Sequence, residues 1–476
     1  MATQSFESLS QKYGARYRWL VLVVVGLGAV AGILSSTSFT VAVPSLMRHF
    51  DIGQAQVQWT ITGFMAAMTV GMLPTAWLLD RLGFRRLFLG AIALLGVCSV
   101  AGYLATDFWL VVGLRVVQGL TAGVLQPMGT IAVMRLFPPG EQGRAMGILG
   151  FGVVLAPAMA PTFGGMLLDR FGWSSIFLLS LPFCLITLAV GLRLLPQPRP
   201  PERRPFDWLG LGLLTGASLA IVEAVASLQR HGIGSGWTLV LFSLALLSLL
   251  CFVAHARRSA HPIISLSPFA NTPFTMGTLV SFAYGFGLYA STYLIPVFLQ
   301  HAMHFSATAA GLALLPSGLV LAVTIAVAGR MADRYSPLLV TISGLALFGL
   351  SFVFFGVVAT HISYTQIVTG TVLGRIGLGL VLPALSIATL RYLTPAQLGQ
   401  SSVIISYTRQ LGGVMGVAIA AVFVGWREAV YSHQADGVVT AYAQAFMMLA
   451  LVFLFATAAA CFMKQRSPGP GTLSSP

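Results

Sequence analysis

Charge is what this sequence has least of. Of its 476 residues only 8% are Asp, Glu, Lys or Arg, where a soluble globular chain carries about 25%. Acid is scarcer still, with 12 Asp and Glu against 26 Lys and Arg. The shortage has a physical cause: an ion at the centre of a hydrocarbon layer costs roughly 2.5 to 3.5 kcal/mol even on lenient insertion scales. A large soluble core would not produce it, because a soluble protein still needs a polar surface. Cysteine is also sparse. Cys98, Cys184, Cys251 and Cys461 all fall in apolar stretches with no metal-ligand spacing, so they read as small core residues and no metal site is expected. No G-x-x-x-x-G-K-[S/T] loop occurs, which argues against ATP as the driving force. Paired intramembrane acids and nucleophile motifs are missing, so neither an enzyme nor a cofactor is expected. Large soluble appendages, which a membrane scaffold or sensor would carry, are missing too. The polar stretch from Met1 to Arg18 precedes an apolar run long enough to span, so no cleavable leader is expected.

What is present is length of apolar chain. Hydrophobic residues make up 57% of the sequence, gathered in runs of the ~18 to 26 residues that cross about 30 Å of hydrocarbon. Fourteen such runs centre near Gly28, Thr69, Leu95, Leu120, Leu155, Cys184, Ala217, Ala245, Gly287, Leu319, Leu347, Gly379, Gly416 and Phe453. Fourteen crossings leave both termini on one side. Nineteen Lys and Arg fall on that side and four on the other (Arg48, Arg170, Arg230 and Arg427). The positive-inside rule makes the rich side cytoplasmic. The expectation is a multi-pass protein of the cell (inner) membrane with cytoplasmic termini. The net charge of +14 is scattered between apolar runs rather than gathered in a patch, so nucleic acid is not an expected partner.

The chain repeats itself. At an offset of 256, Gly123, Pro127, Arg135, Pro139 and Gly143 meet Gly379, Pro383, Arg391, Pro395 and Gly399. Asp80-Arg81 meet Asp333-Arg334 at 253, and Pro44 and His49 meet Pro296 and His301 at 252. The reading is a six-helix bundle over 1–196, a cytoplasmic linker and inserted helix hairpin over 197–268, a second six-helix bundle over 269–466 and a disordered tail over 467–476. Related halves that face each other across a central site suit alternating access.

The loop after the second run reads Leu78-Leu79-Asp80-Arg81-Leu82-Gly83-Phe84-Arg85-Arg86. It resembles the cytoplasmic signature of the major facilitator superfamily, with Ala76 where the first Gly usually stands. The second-half copy, Gly329-Arg330-Met331-Ala332-Asp333-Arg334, keeps the Gly. An Asp at a helix end beside arginines can pair with the neighbouring half or cap a helix start, and so latch one conformation; the bland alternative is a plain basic loop. Leu114-Arg115-Val116-Val117-Gln118-Gly119 resembles the superfamily's fourth-span motif. Arg115 lies within an apolar run, where an ion is a functional candidate unless it snorkels or bonds to backbone carbonyls. Gly152 to Gly165, with Pro157, Pro161, Gly164 and Gly165, resembles the antiporter motif of the fifth span, Ala156 and Ala160 replacing two glycines. In the family that motif marks exporters. Its residues read either as a bend or as a generic small-residue packing face. Arg409-Gln410-Leu411-Gly412-Gly413-Val414-Met415-Gly416, Phe206-Asp207-Trp208-Leu209-Gly210 and Trp59-Thr60-Ile61-Thr62 look like the fourteen-helix drug:proton antiporters. The resemblance covers nearly the whole chain and implies multidrug efflux and antibiotic resistance.

The resemblance therefore implies an all-α integral membrane protein of the major facilitator fold: about fourteen transmembrane helices in two pseudo-symmetric six-helix bundles plus an inserted two-helix hairpin. It would export small amphipathic molecules by proton antiport, as a monomer in the lipid bilayer, with a periplasmic adaptor protein left open as a partner. One position departs from the pattern. Ser35 stands where the family has an Asp, and serine does not titrate in the useful range. Among acids, only Glu223 reads as intramembrane, with a place near the outer surface of the hairpin as its alternative. The coupling and gating candidates are Arg115, Asp80, Arg81, Asp333, Arg334 and Glu223. The cavity candidates are Ser35, Thr37, Gln118, Gln126, Tyr284, Tyr289, Tyr293, Arg375, Tyr407, Arg409 and Gln410, with Gly412 and Gly413 as the second-half bend. If Arg115, Arg375 and Arg409 face one cavity, its potential is positive and an anionic cargo is favoured; a dedicated exporter of one, anionic, metabolite is the alternative function.

Overall fold

A computed structural model describes residues 6–196, 205–232, 234–359, 362–434 and 436–464. Of these it describes all side chains but those of 6–8, 10, 54–55, 158–159, 161–162, 229–230 and 307–308. The expected linker over 197–204, the tail over 467–476 and the side chain of Pro161 lie outside the described residues.

The described chain is helical because a lipid interior leaves backbone N–H and C=O groups no partner but each other. In order the helices are α1 (Phe6–Tyr13), α2 (Tyr17–Thr37), α3 (Phe39–Phe50), α4 (Gln54–Val57), α5 (Trp59–Met72), α6 (Thr75–Tyr103), α7 (Phe108–Leu136), α8 (Gln142–Phe171), α9 (Leu181–Leu194), α10 (Trp208–His231), α11 (Gly236–Arg258), α12 (Thr272–Val297), α13 (Ala307–Arg334), α14 (Pro337–Val358), α15 (Tyr364–Leu390), α16 (Leu398–Val430) and α17 (Gly437–Cys461). All fourteen expected centres fall inside these helices. Twelve described helical segments are long and apolar enough to cross a membrane. The 30-residue α8 and the pair made of α5 with the start of α6 account for the other two crossings. α6 breaks at Gly83 (φ 76°, ψ 160°), a left-handed conformation that only glycine adopts without a Cβ penalty. The loop glycine of the signature motif thus separates the second crossing from the third.

The surface of the fold is inverted relative to a soluble protein. Leu244, Leu247 and Leu250 of α11 and Leu312, Leu315 and Leu319 of α13 are exposed in mid-helix, as lipid-facing residues are. The exposed tryptophans stand at helix ends instead: Trp59, Trp109, Trp208 and Trp237 at starts, Trp426 near a finish. Their amphipathic rings suit the headgroup level. Cys98 and Cys184 are buried as expected, but Cys251 and Cys461 are exposed, because they sit on the outer faces of α11 and α17.

Helices α2 to α9 form one lobe and α12 to α17 the other, with α10 and α11 paired as the inserted hairpin. α10 packs on α5 of the first lobe and α16 of the second. Its start is clamped by Asp207, whose Oδ1 caps Gly210 N at 2.8 Å and meets His255 Nε2 of α11 at 2.8 Å. Oδ2 accepts from Ile263 N at 3.0 Å. The broadest lobe-to-lobe contact runs between α8 and α13. There Gly143 and Gly147 face Gly329: a side-chain carbon at Gly329 would lie 2.3 Å from Gly143 O, so any larger residue would force these backbones apart.

Candidate functional site

The first lobe holds the most deeply buried ion. Arg115 of α7 is 1% exposed. Its Nε donates to Thr60 O at 3.1 Å, and Nη1 donates to Ser35 O at 2.8 Å and to Gln118 Oε1 at 3.1 Å. Ser35 Oγ is a further partner at 3.3 Å. The rings of Phe39 and Phe64 lie 4.3 and 4.2 Å from the guanidinium carbon. Carbonyl dipoles and π faces therefore stabilise a charge that has no carboxylate within 4.0 Å among the described residues, though its Nη2 is buried without a described hydrogen-bond partner. Gln118 passes the network on, donating to Ser99 Oγ at 3.1 Å, which meets Ser180 Oγ at 3.2 Å. Ser35, Gln118 and Arg115 thus come together as expected, but as a cross-brace of α2, α5, α6, α7 and the 3₁₀ segment Trp173–Ser180. Arg115 is enclosed within its own lobe, so the condition that it face one cavity with Arg375 and Arg409 is not met in this conformation.

The hydroxyls beside Thr37, at the end of the first span, are self-satisfied. Ser36 and Thr37 donate to Ile33 O at 2.8 and 2.9 Å, and Ser38 donates to Leu34 O at 2.6 Å. Such back-bonding loosens a helix, and α2 ends at Thr37. Gln126 of α7 keeps a buried Oε1 without a described partner.

In the second lobe α12 and α16 meet backbone to backbone. A side-chain carbon at Gly285, Gly412 or Gly416 would lie 1.9, 2.1 or 2.3 Å from the carbonyl oxygens of Arg409, Phe282 and Phe286. Gly413 lies under the Tyr289 ring. Gly412 and Gly413 therefore act as the contact face of an unbroken helix, not as its bend. This contact brings Tyr284, Tyr289, Arg409 and Gln410 together: Tyr289 OH donates to Gln410 Oε1 at 3.5 Å. Arg375 of α15 and Arg409 both act electrostatically on Tyr284. Tyr407 is turned away to the hairpin, where its hydroxyl meets Ser218 Oγ of α10 at 2.5 Å. Tyr293 is exposed and neighbours Tyr442.

At the basic face the two lobes are joined. Asp333 Oδ1 accepts from Gly143 N at 2.6 Å and Oδ2 from Arg144 N at 2.7 Å. These are orphan amides of the first turn of α8, whose own N-cap, Glu141, makes no capping bond. The cap is supplied from the other lobe, where charge and helix dipole both favour it. An apolar seal joins the lobes as well: Met68, Met72, Met134 and Phe137 pack in one cluster with Leu390, Leu398, Ile404 and Ile405, and Met134, Phe137, Leu390 and Leu398 of that cluster line a cavity beside Asp333. The repeat partner Asp80 is exposed on the same face, and the adjacent Leu79 lies 3.8 Å from where a Gly399 side chain would start. Arg81 and Arg334 are exposed and lie over Trp77 and Tyr335 at 5.1 and 6.0 Å. Of the antiporter motif, Ala156 and Ala160 are buried against Leu34. A side-chain carbon at Gly164 would lie 3.7 Å from Ser38 Cβ, and one at Gly165 would meet open space. Pro157 is half-buried within a continuous α8.

Glu223 is exposed on α10. It is not the only acid in a spanning helix, which corrects the sequence reading: Glu428 lies near the end of α16 with Oε1 buried. His301 Nδ1 is 3.4 Å from that oxygen, without hydrogen-bond alignment, and 3.3 Å from Tyr442 OH. His301 sits on a π-helical turn, Phe298–Ala302. The repeat of Pro44-His49 as Pro296-His301 was the available signal.

The sequence pattern of the Major Facilitator Superfamily matches residues 25–275 and 277–475. A multidrug resistance protein B homolog of Mycobacterium tuberculosis is 32% identical over 407 residues, 84% of this chain and 75% of that protein. The lincomycin resistance protein LmrB of Listeria innocua is 29% identical over 415 residues, 86% of each chain. Among solved structures, that of the human organic anion transporter MFSD10 matches 93% of this chain and 99% of its own, with a TM-score of 0.68 and 20% identity. That likeness is one of fold.

Proposed function

The chain belongs to the major facilitator superfamily, and on that premise we propose that it is a drug-efflux transporter, moving small amphipathic molecules outward by alternating access in exchange for protons. The relatives named for multidrug and lincomycin resistance support the cargo class. What carries the mechanism is the seal at the basic face, where Asp333 of one lobe caps α8 of the other. A bond of that kind can be made in one state and released in the next. With the basic face taken as cytoplasmic, the conformation is the one closed to the cytoplasm. Asp333 and its repeat partner Asp80, with Arg81 and Arg334, gate that face. Arg115 holds the first lobe rigid as it moves, and the second-lobe cluster around Arg375 and Arg409 meets the cargo.

Position 35 cannot carry the proton, so another group must. Of the described carboxylates within spanning helices that remain for it, Asp169 is exposed near the end of α8, whereas Glu223 lies well inside α10 and Glu428 has a buried oxygen, so Glu223 and Glu428 are the candidates. In proteoliposomes, outward flux of an amphipathic dye, carboxyfluorescein or ethidium, should follow an imposed pH gradient and stop when nigericin collapses it. Of Glu223→Gln and Glu428→Gln, one should uncouple flux from the gradient. Flux indifferent to nigericin would remove proton exchange from the account, and absence of flux for every amphipathic dye would remove export.

A further inference from the structure

Two guanidinium groups in the second lobe have no acid to answer them. Arg375 and Arg409 are half-buried, and among the described residues neither lies within 4.0 Å of a carboxylate. Glu428, on the same helix as Arg409, is about 28 Å further along at 1.5 Å per residue. An ion in a water-poor interior costs several kcal/mol unless something compensates it. Arg115 solves that problem with carbonyls and rings. No such set of carbonyl bonds is seen for Arg375 and Arg409 among the described residues.

What surrounds them, among the described residues, adds hydroxyls and an amide but no carboxylate. Tyr284 is within electrostatic reach of both, and Tyr289 of Arg409. Gln410 is 2% exposed, and its Oε1 already accepts from Tyr289. Its Nε2 is left with no described hydrogen-bond partner. Guanidinium nitrogens can only donate. The glycine contact of α12 with α16 fixes these groups relative to each other, so the cluster is preorganised rather than assembled on demand. Two aromatic rings line it beside the positive charge.

We propose that Arg375, Arg409, Tyr284, Tyr289 and Gln410 form an anion-binding subsite, and that the cargo it takes is an aromatic organic anion, a carboxylate or sulfonate, rather than a lipophilic cation. The anionic group accepts from the guanidinium forks, which match carboxylate geometry, and the ring lies against the tyrosines. A cation of the same size would meet two like charges. The inference deepens the export reading and rests on it for the direction of movement, but not for binding.

The test uses the full-length protein in detergent, with carboxyfluorescein as the anionic probe and ethidium as the cationic one. Carboxyfluorescein should bind about tenfold or more tightly than ethidium, and its affinity should fall with ionic strength, as an accessible charge contact requires. Arg375→Gln and Arg409→Gln should each weaken carboxyfluorescein about tenfold without weakening ethidium, while Arg258→Gln on the exposed end of α11 should change neither. Ethidium binding as tight as carboxyfluorescein, or two Gln variants that bind the anion like the parent, would overturn the proposal. Should the variants not fold, the selectivity of the parent protein decides alone. Gradient-driven flux on the same preparation reads the export proposal separately. Ethidium export without anion selectivity sinks the subsite and keeps export; selective anion binding without flux of either dye does the reverse.

Discussion

Arg115 shows how one side chain can hold a lobe together. Its guanidinium bonds to residues 80 and 55 positions away, Ser35 and Thr60, so it ties α2 and α5 to α7. Arg115→Lys keeps the charge but replaces a planar fork with one nitrogen, which cannot reach both carbonyls in the same geometry. A loss of about 2–4 kcal/mol is expected, in the range for breaking a buried charged network, read as a fall in thermal midpoint in micelles. An unchanged midpoint would mean that the fork contributes little. The apolar run around position 115 announced a buried ion; its partners were not legible, because they are backbone carbonyls chosen by packing between distant helices. Asp207 is a second such residue. Burial opposes its ionisation, but the amides of Gly210 and Ile263 and the His255 ring outweigh burial and hold its pKa below the ordinary 3.8. A carboxyl with a lower pKa folded than unfolded stabilises the fold above about pH 4, and that contribution fades as pH falls through the folded value. The protection of the Gly210 and Ile263 amides against hydrogen exchange, relative to their intrinsic rates at each pH, should therefore fall in acid below pH about 4. Asp207→Asn should quicken their exchange at neutral pH by roughly tenfold, the equivalent of ~1.4 kcal/mol.

At the scale of helices, the decisive feature is how closely α12 approaches α16. Gly412 and Gly416 are four apart and so share one face, and both abut carbonyl oxygens of α12. Gly412→Ala or Gly416→Ala should push the helices apart and cost about 2–4 kcal/mol, as overpacking at a backbone contact does. Gly311→Ala on α13, where a side-chain carbon meets nothing within 4 Å, should be neutral or raise stability by up to ~1 kcal/mol. Thermal midpoints of the three variants check the contrast, and equal effects would refute the packing role. The R-Q-L-G-G-x-x-G segment was legible as a motif, yet its glycines read as a bend because the sequence does not say which helix they face. Glu428 was missed for a related reason. The apolar run of the thirteenth span stops before Arg427, whereas α16 runs 33 residues to Val430, held in part by Arg427 bonding to Gln444 and Tyr431.

For the whole molecule, hydropathy, loop charge and internal repeat were enough to read a multi-pass helical membrane protein in two related halves, because bilayer thickness and backbone hydrogen bonding leave few alternatives; the major facilitator fold came from the resemblance of the motifs. The state of the transporter was not legible, since it depends on contacts between lobes such as Asp333 with the start of α8. Asp333→Ala removes a helix cap worth about 1–2 kcal/mol, which is a shift of roughly 5- to 30-fold in the balance between closed and open forms. The most direct measurement places spin labels in pairs, with the four native cysteines replaced. One pair, Glu141→Cys with Ser336→Cys, reads the basic face; the other, Thr106→Cys with Ser432→Cys, reads the opposite face. On adding Asp333→Ala, the account predicts that the first distance lengthens while the second shortens. Distances that move together, or not at all, would contradict two lobes pivoting about a site between them.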